Sequence, residues 1–140
     1  MKRCVLDTSV AIKWFSEYDE DDLDKAIKLR REIFEGNYFV VVPDLLFYEL
    51  ANALRYNPHL SPHDVAHAVQ SVIDMGFDIK TIEPAVLERA IDLAFKYNIT
   101  IYDASFLSLA QTENRLLITA DYKLAGRVKG FKHIMRLSEF

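Results

Sequence analysis

The sequence is poor in cysteine and has no long apolar run. Its 140 residues include one cysteine, Cys4, which excludes an internal disulfide and a zinc site built from several cysteines. No apolar run approaches the length of a membrane span, and only a short apolar run separates Met1 and its basic neighbours from Asp7. We therefore expect no membrane span and no signal peptide, and a cytoplasmic location.

Several motifs of common catalytic sites are also missing. The chain has no P-loop, no glycine-rich dinucleotide motif, no G-x-S-x-G elbow and no pattern of a Cys or His nucleophile. Linkers, repeats and low-complexity segments are absent too, so we predict a single domain over residues 1–140. With 51% hydrophobic and 27% charged residues, the composition is typical of a globular protein with one core.

Charge is unevenly distributed along the chain. The formal net charge of −4 argues against a general nucleic-acid coat protein. Acidic residues crowd residues 17–24, which we interpret as a solvated loop leading into a helix, because the glycine-centred pattern of a calcium loop is missing. Residues 122–138 contain bases and no acid. This basic region is either a surface that faces phosphates or an ordinary solvated surface.

Apolar strands alternate with helical patterns, which predicts an α/β fold with a parallel sheet. The predicted strands are 4–6, 38–42, 77–82 at an edge of the sheet, 116–119 and 131–137. Helices are predicted after Asp7, at 21–34, up to Tyr56, from a capping box at Ser61 up to Met75, at 84–97, from Asp103 onward, and at 122–128. Helical spacing places Ile91 and Phe95 on the buried side of the helix at 84–97.

Two of the apolar strands lead into an acid. Asp7 directly follows the first strand, and Asp121 follows the strand that ends at Thr119. In open α/β sheets ligands bind outside the carboxyl ends of the strands, and a buried carboxylate is costly unless a cation meets it. Asp7 is therefore either a functional acid or only a helix N-cap. The hydroxyls of Thr8, Ser9 and Thr119 can hydrogen-bond these carboxylates.

Glu49 and Asp103 are two further acids with apolar neighbours on predicted helices. Each is either functional or an ordinary surface or capping acid, and Asn52 shares a neighbouring helix face with Glu49. Two carboxylates about 5 Å apart repel by roughly 3 kcal/mol at an effective dielectric near 20. If the four acids converge, they must hold protons or bind cations, and oxygen ligands favour Mg²⁺ or Mn²⁺.

Two histidines have a spacing that is compatible with zinc. His63 and His67 lie four residues apart on a predicted helix. No third ligand is apparent and no glutamate stands beside them as in a metalloprotease. We interpret them as surface histidines.

Four short segments in order along the chain carry a pattern typical of one nuclease family. They are Val5–Ser9, Tyr48–Leu54, Tyr102–Ser105 and Leu117–Asp121. Together they resemble the PIN-domain ribonucleases, and in size and motif order the VapC-type toxins. The resemblance implies a three-layer α/β/α sandwich with a central, mainly parallel sheet. It also implies a Mg²⁺- or Mn²⁺-dependent endoribonuclease that acts on RNA, forms a homodimer and is inhibited by a VapB-type antitoxin.

The resemblance also implies roles for six residues. Asp7, Glu49, Asp103 and Asp121 match the metal-binding acids of the family, and Thr119 and Asn52 match its supporting polar positions. Some members carry one more acid shortly after the last one, whereas residues 122–125 of this chain contain none. We therefore expect one strongly bound ion rather than two, with Lys123 free to contact a substrate phosphate.

Three alternatives stay open beside this interpretation. The first is a PIN-domain nuclease of RNA processing or decay that has no antitoxin. The second is a receiver-like Mg²⁺-binding signalling module, although such a module needs two adjacent acids after the first strand and this chain has one. The third is an inactive PIN scaffold, which the presence of all four acids disfavours.

Overall fold

Five parallel strands form one sheet in this computed structural model, which describes residues 1–16 and 21–140. The strands are β1 (Lys2–Leu6), β2 (Tyr38–Pro43), β3 (Asp78–Lys80), β4 (Leu116–Thr119) and β5 (Ile134–Arg136). Their order in the sheet is β3-β2-β1-β4-β5, so β1 is central and pairs with β2 on one side and β4 on the other. The carboxyl ends of all five strands therefore lie at the same edge of the sheet.

Seven α-helices in the described ranges cover both faces of this sheet. They are α1 (Thr8–Lys13), α2 (Leu23–Phe34), α3 (Leu45–Arg55), α4 (Pro62–Ile73), α5 (Pro84–Tyr97), α6 (Ile101–Glu113) and α7 (Tyr122–Arg127). Right-handed crossovers place α1 to α4 on one face and α5 to α7 on the other. In agreement, α3 packs on α1 and α4, while α6 lies across β1, β2 and β4 under α5. The predicted three-layer α/β/α architecture is confirmed.

The core lies on both faces of the three inner strands. Val5 and Leu6 of β1 and Leu117 of β4 are completely buried, as expected of strands without polar alternation. Leu46 and Leu50 close one side from α3. None of the helices in the described part of the chain is both long and apolar enough to span a membrane.

Local signals in the sequence set several helix ends. The predicted capping box is present, since Ser61 Oγ accepts from Asp64 N at 3.1 Å and Asp64 Oδ2 accepts from Ser61 N at 2.9 Å. Asn98 ends α5 with a left-handed backbone at φ +52°, which asparagine tolerates better than most residues. Thr100 then caps α6, and this tight connection delivers the first turn of α6 to the carboxyl edge of the sheet.

Some predicted boundaries are too long. The strands predicted at 77–82 and 131–137 shrink to β3 and β5, with three residues each, although β3 does lie at an edge of the sheet. Leu137 begins a short 3₁₀ helix instead. In the acidic stretch, residues 17–20 lie outside the described residues, and α2 begins at Leu23 rather than Asp21.

The prediction for the buried side of α5 is wrong at two positions. Phe95 is 85% exposed and Ile91 is 40% exposed, whereas Ala90, Leu93 and Ala94 are the buried residues of this helix. The apolar repeat of α5 is therefore wider than the face that the fold covers.

Two adjacent leucines of β4 test how the sheet is stabilised. Leu117 is fully buried, so Leu117→Ala should lower the free energy of unfolding by about 2–5 kcal/mol through lost burial and a cavity. Leu116 is 41% exposed, so Leu116→Ala should cost no more than about 1 kcal/mol. Urea unfolding followed by circular dichroism measures both, and equal losses would contradict the packing described.

Candidate active site

Four acids lie at the carboxyl edge of the sheet. Asp7 follows the central strand β1, and Asp121 follows the neighbouring strand β4. Glu49 reaches this edge from α3 on one face of the sheet, and Asp103 from the first turn of α6 on the other. The structure thus brings together the four acids that the sequence singled out, and Thr119 lies among them.

Asp7 is buried at this edge and held there by two hydroxyl groups. Its side chain is 6% exposed, and its Oδ2 atom accepts hydrogen bonds from Ser9 Oγ at 2.6 Å and Thr119 Oγ1 at 2.8 Å. Asp7 occupies the N-cap position of α1, yet its side chain bonds no backbone N–H there. The carboxylate is therefore held by side chains from β4 and α1 and does not serve as a helix cap.

The same hydroxyl groups tie Asp121 to Asp7. Thr119 Oγ1 accepts a hydrogen bond from Asp121 N at 3.0 Å, and Ser9 Oγ accepts one from Ala120 N at 2.9 Å. Asp121 Oδ1 accepts from Leu124 N at 3.0 Å and so caps α7. One carboxylate oxygen of Asp121 is thus fixed by the helix, and the other receives no hydrogen bond from the described residues.

Glu49 is joined to the same cluster through the residue after Asp7. Its Oε1 atom accepts a hydrogen bond from Thr8 Oγ1 at 2.7 Å, and Thr8 is itself buried. Asn52, by contrast, is exposed on α3 and lines a groove against α4. The Asn52 side chain makes no hydrogen bond to Glu49 among the described residues, so it does not orient this acid here.

Asp103 lies in the first turn of α6 without capping it through its side chain. Thr100 is the N-cap, and its Oγ1 accepts from Asp103 N at 3.1 Å. Our sequence reasoning did not identify Thr100, although a threonine three residues before an acid is a recognisable start of a helix. The cap anchors the turn from which Asp103 projects.

Burial and mutual repulsion raise the pKa of three of the acids. Burial raises the pKa of Asp7, the hydrogen bonds from Ser9 and Thr119 counteract part of this, and the charges of Asp103 and Asp121 add to it. A buried carboxylate close to like charges is costly in its ionised form.

The pKa values of Glu49 and Asp103 rise for the same reasons. Burial is the main cause for Glu49, opposed by the Thr8 hydrogen bond and supported by the charges of Asp7 and Asp103. For Asp103, burial and the charge of Asp121 raise the pKa, while Thr100 and the cation of Arg127 lower it. Each of the four acids therefore lies near enough to another of them for their charges to interact.

The chemistry of these donors suits a hard cation, although their spacing is wide. All four side chains offer carboxylate oxygens, which select Mg²⁺ or Mn²⁺ over softer metals. As they stand, no three acids, histidines or cysteines of the described residues are close enough together to hold one ion. The carboxylates thus interact electrostatically but do not converge on a single point. To bind one ion, their side chains must move closer together.

The two histidines lie away from this edge, on α4. His63 and His67 are both exposed, and their rings stack with centroids 6.4 Å apart. No further potential ligand in the described ranges completes a metal site with them. They lie on the surface, as the sequence predicted.

Comparison with known proteins assigns the chain to a family. The family model of the PIN domain matches residues 4–129, and the chain belongs to the PIN-domain family. A protein named exonuclease VapC9, from Pyrobaculum aerophilum, is 29% identical over 107 residues, which cover 76% of this chain and 75% of that protein. A protein of the same organism named ribonuclease VapC3 is 26% identical over 129 residues, which cover 89% and 93%.

A solved structure agrees with this assignment. A toxin–antitoxin complex from Klebsiella pneumoniae contains a chain with a TM-score of 0.68 and 20% identity, covering 96% of this chain and 97% of that one. At this identity the likeness establishes the fold. The assignment to the PIN family argues against the receiver-like alternative.

The raised pKa values predict how the metal-free protein responds to pH. Above an ordinary carboxyl pKa of about 4 and below the raised values, the folded state binds more protons than the unfolded state. The contribution of these acids to stability is therefore complete below about pH 4 and is lost as the pH rises through the raised values.

Asp103→Asn should remove part of the stability that the metal-free protein loses as the pH rises. In EDTA, its gain in Tm over the native protein should be larger at about pH 7.5 than at about pH 4.5. Thermal melts at both pH values measure it, with the exposed Asp92→Asn as a control that shows no such difference. A gain that is equal at both pH values would contradict the coupling.

Proposed function

We propose that this protein is a Mg²⁺- or Mn²⁺-dependent endoribonuclease that hydrolyses phosphodiester bonds in RNA. The observation that carries the proposal is the cluster of Asp7, Glu49, Asp103 and Asp121 at one edge of the sheet, where burial and repulsion raise the pKa of the first three. Such a cluster is stabilised by a divalent cation. Membership of the PIN family and the names of two VapC relatives support nuclease chemistry.

The four acids would hold the metal, and the residues around them would keep the acids in position. When bound, a divalent ion activates water as a nucleophile and offsets charge on the phosphodiester. Thr119 and Ser9 orient Asp7, while Thr8 holds one oxygen of Glu49. Because these hydroxyl groups occupy only one oxygen of each carboxylate, the other oxygen stays available to a cation.

Cations on α7 are placed to receive the substrate. Arg127 is near enough to Asp103 to lower the pKa of that acid, although no ion pair joins the two side chains in the described structure. Its exposed guanidinium can donate two hydrogen bonds at once to the oxygens of a phosphate. We assign it to the phosphate of the RNA, together with the exposed Lys123 of the same helix.

We further propose that the protein is a cytoplasmic toxin of the VapBC type, inhibited by a VapB-type antitoxin and paired with a second copy of itself. Structures similar to this chain include a toxin–antitoxin complex from Klebsiella pneumoniae and a structure of VapBC2 from Rickettsia felis. Phe95 and Ile91 leave an apolar surface on α5 that a second copy can cover. A nuclease of RNA processing without an antitoxin is the alternative.

Neutralising the acids should abolish cleavage and leave the fold intact. Asp7→Asn and Asp121→Asn should each lower cleavage at least about 100-fold, which is the upper end of what loss of a supporting partner costs at a metal site. Asparagine at position 121 can still cap α7, so circular dichroism should be unchanged. The exposed Asp92→Asn is the matched control and should cleave like the native protein.

The assay should use a mixed single-stranded RNA pool with Mg²⁺ or Mn²⁺, with mapping of the cut sites. Because one relative is named an exonuclease, a circular RNA belongs in the same experiment. An endonuclease opens the circle, whereas an exonuclease leaves it whole. Full activity of the asparagine variants, or of the native protein in EDTA, would refute the mechanism.

Expression in cells separates the toxin from the RNA-processing alternative. A toxin should arrest growth when expressed alone, and the product of an adjacent small reading frame should restore growth and bind the protein. Asp121→Asn should cause no arrest, because it lacks cleavage. Growth unaffected by the native protein, with cleavage intact in vitro, would favour RNA processing without an antitoxin.

A further inference from the structure

Two tyrosines that directly precede acids of the site make no polar or aromatic contact with the residues that the structure describes. Six of the seven tyrosines lie in the described residues, and four of these contact a charged or aromatic neighbour, namely Tyr38, Tyr56, Tyr97 and Tyr122. Tyr48 and Tyr102 make no hydrogen bond, ring contact or cation contact with any described residue. They are also 74% and 61% exposed.

Their positions in the chain connect them to the site. Tyr48 directly precedes Glu49 on α3, and Tyr102 directly precedes Asp103 on α6. Glu49 and Asp103 reach the same edge of the sheet from opposite faces, so each tyrosine directly precedes an acid of the site. One tyrosine comes from each helical layer.

Helix geometry directs both rings away from the core. On α3, the buried stripe contains Leu46 and Leu50, and Tyr48 lies about 200° round the helix from Leu46, on the outer side beyond Glu49. On α6, the first buried residue is Ala104, so the preceding turn with Tyr102 projects from the body of the protein. Neither ring thus contributes to the packing of the core.

We propose that Tyr48 and Tyr102 are stacking platforms for the bases on either side of the cleaved bond in single-stranded RNA. This inference rests on the proposed function and adds two residues that bind the bases of the substrate. Aromatic side chains bind unpaired bases by stacking, and every base offers a face for it. In duplex RNA the bases are already stacked on one another, so two such platforms select single strands.

Stacking also answers an electrostatic need of this site. Four acids repel a polyanion until cations neutralise them, so attraction to the phosphates alone binds RNA weakly here. Contacts with neutral bases are insensitive to that repulsion. Two rings beside the acids hold the RNA strand across the site while one of its phosphodiester bonds lies over the acids.

Replacing each ring tests the proposal. Tyr48→Ala and Tyr102→Ala should each raise KM for a single-stranded RNA oligonucleotide roughly 5- to 100-fold, with a smaller change in kcat. Tyr→Phe and Tyr→Trp at the same positions should stay within about twofold of the native KM, because they keep a stacking face. Tyr56→Ala is the matched control, since Tyr56 follows α3 and is 71% exposed.

An abasic RNA separates stacking from a structural role. Removing the base on one side of the cleaved bond should raise the KM of the native protein as much as one Tyr→Ala change does. The abasic RNA should then cost the corresponding variant nothing further, because the lost interaction is the same. Penalties that simply add, or Ala variants with native KM, would overturn the proposal.

Two controls keep this inference distinct from the proposed function. If the native protein cleaves no RNA, binding of the same oligonucleotide measured by fluorescence anisotropy still tests the rings, and ring-dependent binding would support them. Oligomeric state is measured by light scattering for every variant. If the Ala variants lose activity because they dissociate a dimer, the rings belong to a subunit interface and the proposal fails.

Discussion

The site depends on one buried hydrogen-bond network, which joins the ends of two adjacent strands. Asp7 at the end of β1 accepts from Thr119 at the end of β4, and Thr119 in turn accepts from the backbone of Asp121. Ser9 bonds both sides of this junction. A buried carboxylate is tolerated because these donors partly replace water, and the parallel pairing of β1 with β4 brings the donors within reach.

Much of this arrangement could be predicted from the sequence because it follows from strand ends. The apolar runs that lead into Asp7 and Asp121 predict parallel strands, each followed by an acid. The carboxyl ends of parallel strands lie at the same edge of the sheet, so the two acids lie there too. The positions of Glu49 and Asp103 were harder to predict, since their helices approach the edge from opposite faces of the sheet. Only the order of the family motifs indicated that they meet the other two acids.

Other features depend on tertiary packing, which local patterns do not encode. The apolar repeat of α5 predicted Phe95 as a core residue, but the residues that α5 buries are Ala90, Leu93 and Ala94. Periodicity identifies an apolar face without revealing how much of it the protein itself covers. No sequence pattern indicated that Thr8 would donate the hydrogen bond that Glu49 accepts. That bond arises from the contact of α1 with α3, which the sequence of either helix alone does not specify.

The position of β1 at the centre of the sheet has a consequence for synthesis in the cell. Asp7 is synthesised before the threonine that holds it, which stands 112 positions later in the chain. While the ribosome still covers that segment, Asp7 lacks its donor and β1 lacks one neighbour. Domains complete their structure only after such distant partners have emerged. A nascent chain of this protein therefore carries no assembled acid cluster beside the ribosome's own RNA until Thr119 and Asp121 have emerged.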